Sequence, residues 1–190
     1  MNAKSHGIIL FSLLFPFFTI GQTIYAGGGF GNGFNKKKFT DLRGDDFQIK
    51  ESQLAWKVFA TAELNFLGAE GGFRTFNTVE TTSDLGRGTS QTRGGDIMAR
   101  GTFRILIFNV FGKFGGFFAR TRNRVIDAQG NTLIDEIVRQ PALLWGFGGG
   151  VQLGILQVRL EYENIELNPS NLGMLSVNAL IRIRRLESNR

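Results

Sequence analysis

The chain contains no cysteine, which excludes disulfides, a thiol nucleophile and a thiolate metal site. Its one histidine is His6, so no Ser–His or Cys–His nucleophile pair and no histidine metal site can form downstream of that position. Proline occurs only three times. Long apolar runs are nearly missing too. Only residues 7–20 are continuously apolar, and a spanning helix needs about 20 such residues. Mean hydropathy is close to zero, too polar for a bundle of transmembrane helices.

That short run follows Lys4 and is followed by small residues, the layout of a secretory signal peptide. Cleavage after Gly21, with Thr19 at the −3 place, or after Ala26 suits a signal peptidase. A retained anchor is the alternative, and the length of the run disfavours it. The expected organisation is a signal peptide over 1–21 and one domain over 22–190, long enough for a single fold. The mature part then has neither cysteine nor histidine.

What the chain has in quantity is glycine (26) and phenylalanine (19), with a formal charge of +6. The basic residues are spread singly, apart from Lys36-Lys37-Lys38, which argues against a nucleic-acid partner. The glycine clusters 27–29 and 146–150 lack the following helix that a phosphate-binding loop requires. Glycine in strands, by contrast, permits the bending of a narrow barrel.

Period-2 alternation recurs along the mature part, which is the strand signal. Leu54, Trp56, Val58, Ala60, Ala62 and Leu64 alternate with Lys57, Phe59, Thr61 and Glu63. Leu67 to Phe73 alternate with Glu70 and Arg74, and Ile97 to Ile107 with Arg100, Thr102 and Arg104. Val110 to Phe118 alternate with Asn109 and Lys113, blurred by Phe111 and Phe117. Three more runs follow: 143–152, then 156–163 with Arg159, Glu161 and Glu163, then 175–184 with Arg182 and Arg184. A weak glycine-rich strand over 23–34 makes eight.

The connections alternate long and short. The long ones are expected at 35–52, 78–95, 123–138 and 166–173, the short ones near Asn65, Phe108 and Gly154. Pro141 falls at the start of an expected strand. Even strand number, short periplasmic turns and longer outer loops describe a bacterial outer-membrane barrel. The predicted fold is therefore all-β: an eight-stranded antiparallel up-and-down transmembrane β-barrel.

Alternation alone does not say which face points outward, and a soluble carrier barrel is the alternative. Charges of both signs occupy one parity: Lys57, Glu63, Glu70, Arg74, Arg100, Arg104, Lys113, Arg159, Glu161, Glu163 and Arg182. The other parity is nearly free of charge, as lipid demands. The charged parity is assigned to a lumen network, because an eight-stranded interior is just wide enough for side chains to fill. Tyr25, Trp56, Trp145 and Tyr162 are placed on the apolar parity as an aromatic girdle.

Residues 55–76, AWKVFATAELNFLGAEGGFRTF, resemble the second hairpin of OmpA-like outer-membrane β-barrel domains. FGKFG at 111–115, GFGGGVQ at 146–152 and RLEYE at 159–163 resemble later family strands, and 172–184 the closing strand. The resemblance implies a Gram-negative outer-membrane location. It also implies outer-membrane lipids and lipopolysaccharide as surroundings, and barrel-assembly machinery and periplasmic chaperones as biogenesis partners. One departure is the closing strand, which ends Ile181-Arg182-Ile183-Arg184 where family members usually end on an aromatic residue. The chain stops at the barrel, so no peptidoglycan-binding domain is expected.

The expected function is non-enzymatic, structural or surface-interacting through four extracellular loops, as a monomer with no cofactor, no metal and a plugged lumen. Lys36, Lys37 and Lys38 are candidates for lipopolysaccharide phosphates. The alternative is a narrow porin-like, anion-preferring pore. It rests on eight basic lumen positions (the six named above with Arg182 and Arg184) against four acidic ones. An enzyme using Glu161 and Glu163 as an acid–base pair is a third reading, disfavoured by the missing histidine.

Overall fold

The computed structural model describes residues 22–40, 46–83, 86–127, 129–167 and 171–185, with side chains placed over 23–34, 52–80, 87–127, 129–167 and 171–183. The expected signal segment lies outside the described residues.

The described residues form strands β1 (Gln22–Thr40), β2 (Asp46–Leu64), β3 (Leu67–Phe76), β4 (Val79–Ser83), β5 (Gly86–Ile105), β6 (Phe108–Asp127), β7 (Thr132–Leu153), β8 (Leu156–Glu166) and β9 (Asn171–Arg185). All pair antiparallel with their neighbours, and β1 pairs with β9 while β3 pairs with β5, so the sheet closes into a ring. Nine strands make eight staves, because β3 and β4 pair with successive parts of β5. At the break between them Asn77 N donates to the Leu54 carbonyl over 2.9 Å.

Three two-residue turns hold one end of the barrel, set by the pairs Leu64↔Leu67, Ile105↔Phe108 and Leu153↔Leu156. Such turns need positive φ. Gly154 supplies it freely and Asn65 tolerates it, whereas Leu106 adopts φ 55° with a branched side chain.

At the other end the structure departs from expectation. Most of the predicted long loops continue as strand: β6 runs to Asp127, and β7 begins at Thr132, well before Pro141. Pro141 therefore lies inside β7 and not at its start. The physical reason is that charge marks water, not loop. Above the membrane a two-stranded ribbon is wetted on both faces, so alternating Arg, Thr and Val remain compatible with a strand. Cross-strand pairs such as Arg122 with Asp135 reinforce it.

The apolar parity faces outward. Phe30, Val58, Ile97, Phe114, Phe118, Phe147 and Val177 are exposed, while Lys57, Arg74, Arg100 and Arg159 are no more than 2% exposed. This inverts the pattern of a soluble carrier and overturns that alternative.

Candidate functional site

Inward positions fill the lumen in layers. Above the charges, toward the long hairpins, lies an apolar layer that includes Phe76, Met98, Phe117, Leu144, Ile165 and Met174. The sequence reading misses it, because four of these residues lie beyond the ends of the expected strands or where the alternation is blurred. Its signal was available: Phe117 keeps the parity of Lys113, and Phe76 that of Arg74.

The middle layer holds ten buried charges, five basic (Lys57, Arg74, Arg100, Lys113, Arg159) and five acidic (Glu63, Glu70, Asp96, Glu161, Glu163). Asp96 was also missed, one residue before the expected strand. It accepts from Arg74 Nε at 2.8 Å. The staves carry these groups inward at similar heights, for example through the register pairs Lys57↔Arg74 and Arg100↔Lys113. Like charges thus sit side by side, and carboxylates carried by other staves answer them. Lys57 donates to Glu161, and to Glu163 at 2.9 Å. Arg74 Nη1 lies 3.0 Å from Glu163.

Lys113 Nζ sits among three carboxylates, 2.8 Å from Glu70, 2.8 Å from Glu161 and 2.7 Å from Glu163. The oxygens of these three glutamates lie within 4.8 Å of one another, near enough to hold a metal ion. The ammonium of Lys113 occupies the centre that such an ion would take. Glu161 and Glu163 are therefore held as ion-pair partners of Lys57 and Lys113.

Aromatic faces complete the packing. Phe111 lies beneath Arg100, at 3.8 Å from guanidinium carbon to ring centroid, and 5.3 Å from Arg159. Phe111 and Phe117 blur the alternation because both point inward as packing partners for arginine; Arg74 lies 5.8 Å from the Phe117 ring.

The basic excess on the charged parity disappears among the buried groups. Arg104, which pairs with Glu63, and Arg182 lie at the short-turn mouth, where they line a cavity of about 380 Å³ with Tyr25, Asn109 and Gln152. The side chain of Arg184 lies outside the described residues, and so do those of Lys36, Lys37 and Lys38, although their backbone belongs to β1.

Trp56, Trp145 and Tyr162 lie on the outward parity. Trp56 packs on Phe73 and Trp145 on Tyr162, each with centroids 6.1 Å apart. Tyr25 does not. It is 3% exposed and points into the lumen, 6.0 Å from the Arg159 guanidinium. Its register partner Thr61 is inward, and its neighbours Ile24 and Ala26 take the outward parity. An aromatic residue was assigned by type where the period-2 rule required the opposite face.

Among solved structures, the chain is similar to Ail, the attachment invasion locus protein of Yersinia pestis, in complex with the heparin analogue sucrose octasulfate. Identity is 17% and TM-score 0.61, covering 87% of this chain and all of that one. It is similar also to Neisserial surface protein A, at 13% identity and TM-score 0.59, covering 86% of this chain and 99% of that one. No curated protein sequence matches. Residues 20–174 match the OmpA-like transmembrane domain. With the closed ring, the outward apolar face and that match over most of its length, the chain belongs to the OmpA-like transmembrane domain family of the bacterial outer membrane.

Proposed function

We propose that this barrel is a non-enzymatic, monomeric outer-membrane protein with a plugged lumen, acting structurally or through the hairpins at its outer end. The carrying observation is the filled interior: ten buried charges balanced five against five, beneath an apolar layer. An eight-stranded interior has room for side chains and little else. Buried charges with such partners are also held in place, since freeing one leaves another unpaired.

The second reading, a narrow anion-preferring pore, is favoured by Arg104 and Arg182 at the short-turn mouth. Planar-bilayer recording of the refolded protein separates the two. A plugged barrel gives no stable steps, and reproducible anion-selective steps would overturn the plug. The hairpin role is tested by replacing residues 121–138 with a two-residue Asn-Gly turn between the register partners Arg120 and Arg139 and assaying bacterial surface attachment. Unchanged attachment would assign the barrel a structural role.

A further inference from the structure

Three outward arginines stand in one row. Arg93 on β5 is the register partner of Arg120 on β6, which is the register partner of Arg139 on β7. All three are exposed, and among the described residues no carboxylate pairs with them. Like charges directly opposite on neighbouring strands repel. Arg122, two residues above Arg120, differs: Asp135 neutralises it at 2.6 Å.

The height of the row is set by the strand below it. From the short turn upward the outward residues of β6 are Phe108, Val110, Gly112, Phe114, Gly116 and Phe118, and Arg120 comes next. The ten residue steps from Phe108 to Phe118, at about 3.4 Å each and tilted by about 40°, rise roughly 25 Å. That is about the height of the apolar band of an outer-membrane barrel, so Arg120 emerges where the outer-leaflet headgroups begin. Gln91, Arg93, Arg120, Arg122 and Ile137 line a depression of about 170 Å³ at this level.

Beneath Arg93 the lipid-facing wall of β5 itself is low. Gly95, Ala99 and Gly101 follow on β5, with Ile97 the tall side chain among them, Gly71 beside Ile97 on β3, and Phe73 on β3 and Phe114 and Phe118 on β6 rising on either side. A Cβ added at Gly101 would meet nothing within 4 Å. We infer that the Arg93–Arg120–Arg139 row is a binding site for the phosphates of an acylated outer-leaflet glycolipid, whose acyl chains lie along the low wall of β5. Guanidinium forks suit phosphate oxygens in paired hydrogen bonds. A soluble polyanion would use the charges alone, whereas the step from arginines straight onto an apolar wall fits a lipid. This site is distinct from Lys36–Lys38, at the outer end of β1.

The test uses the full-length barrel refolded into phosphatidylcholine nanodiscs and titrated with bisphosphorylated lipid A or its dephosphorylated form. Heat-modifiable gel migration confirms folding of each variant. Wild type should prefer the phosphorylated lipid by roughly tenfold or more, in keeping with several charge-assisted contacts. The R93Q/R120Q/R139Q variant should lose that preference, while R87Q keeps it within about twofold, since that arginine is paired with Glu80 toward the outer end of β5 and lies outside the depression. Equal binding of the two lipids by wild type, which needs no variant, would overturn the site. So would a preference surviving in the triple variant, or a heparin fragment that displaces lipid A from the wild-type barrel.

Discussion

Lys57 on β2 and Glu163 on β8 meet inside the barrel at 2.9 Å, 106 positions apart in the chain and with two strands, β1 and β9, between their staves. Glu163 also serves Arg74 and Lys113. Replacing it with glutamine leaves five buried cations facing four carboxylates. Removing one partner of a buried pair destabilises by about 3–5 kcal/mol. Glu163→Gln should therefore lower the urea midpoint of the refolded barrel, and Lys57→Met added to it should restore part of the loss by rebalancing charge. A Glu163→Gln barrel within about 0.5 kcal/mol of wild type would mean that the cluster does not act as a unit.

Gly148 makes room for the arginine platform. A Cβ there would fall 2.6 Å from Cζ of Phe111 and 2.5 Å from the Leu160 carbonyl oxygen, neither of which can easily yield. Gly148→Val should cost about 1–3 kcal/mol by overpacking, and should shift Phe111 away from Arg100. Gly112 faces outward with nothing within 4 Å of the added atom, and Gly112→Ala should change stability by less than about 0.5 kcal/mol. Denaturant unfolding in bilayers checks both. Equal losses would show that strand glycines here serve backbone bending alone.

Outward and inward positions of the membrane-spanning strands were legible because lipid and lumen impose opposite chemistry on successive residues. Trp56 and Lys57, or Glu161 and Tyr162, could hardly exchange faces. Two kinds of residue were not legible. Apolar residues such as Phe117 and Met98 carry no mark of face in their own chemistry, since a phenylalanine suits the lipid and the underside of an arginine equally, and only shared parity with a charge such as Lys113 or Arg100 reveals it. Above the membrane both faces meet water, so the contrast between an apolar and a charged parity disappears and the outer halves of β6 and β7 read as loop. Ion-pair partners were hidden as well: Lys57 finds Glu163 only when the ring closes.

The outer ribbon of β6 and β7 carries its own titration. Arg122 donates to both carboxylate oxygens of Asp135, at 2.8 Å and 2.6 Å, and this hydrogen bonding holds the Asp135 carboxyl below its ordinary value. At the tip, Asp127 is lowered chiefly by the Asn131 side chain, aided by backbone donors. A carboxyl depressed in the folded state stabilises the ribbon above the unfolded value and loses that contribution as pH falls through the folded value. The ribbon should therefore hold at neutral pH and loosen only below the ordinary aspartate value of 3.8. Carboxyl carbon-13 NMR titration should give Asp135 a midpoint below that value, and the Arg122→Gln variant should return it there. A wild-type midpoint at the ordinary value would remove the ribbon's ion pair from solution.

The two expected signal cleavage positions would have different consequences for the barrel. A cut after Gly21 leaves β1 whole from Gln22, which pairs with Leu64. A cut after Ala26 would strip β1 from residues 60–64 of β2 and from Ile181 to Arg185 of β9, at the seam that closes the ring. Part of the freed backbone would face lipid, where unpaired groups are not tolerated. It would also remove Tyr25 from beneath Arg159. The mature protein should therefore begin at Gln22, as intact-mass measurement of outer-membrane material would read directly. A mature terminus at Gly27 would require the lower part of β9 to close the ring by another pairing, and Arg159 to stand without its aromatic neighbour on that side.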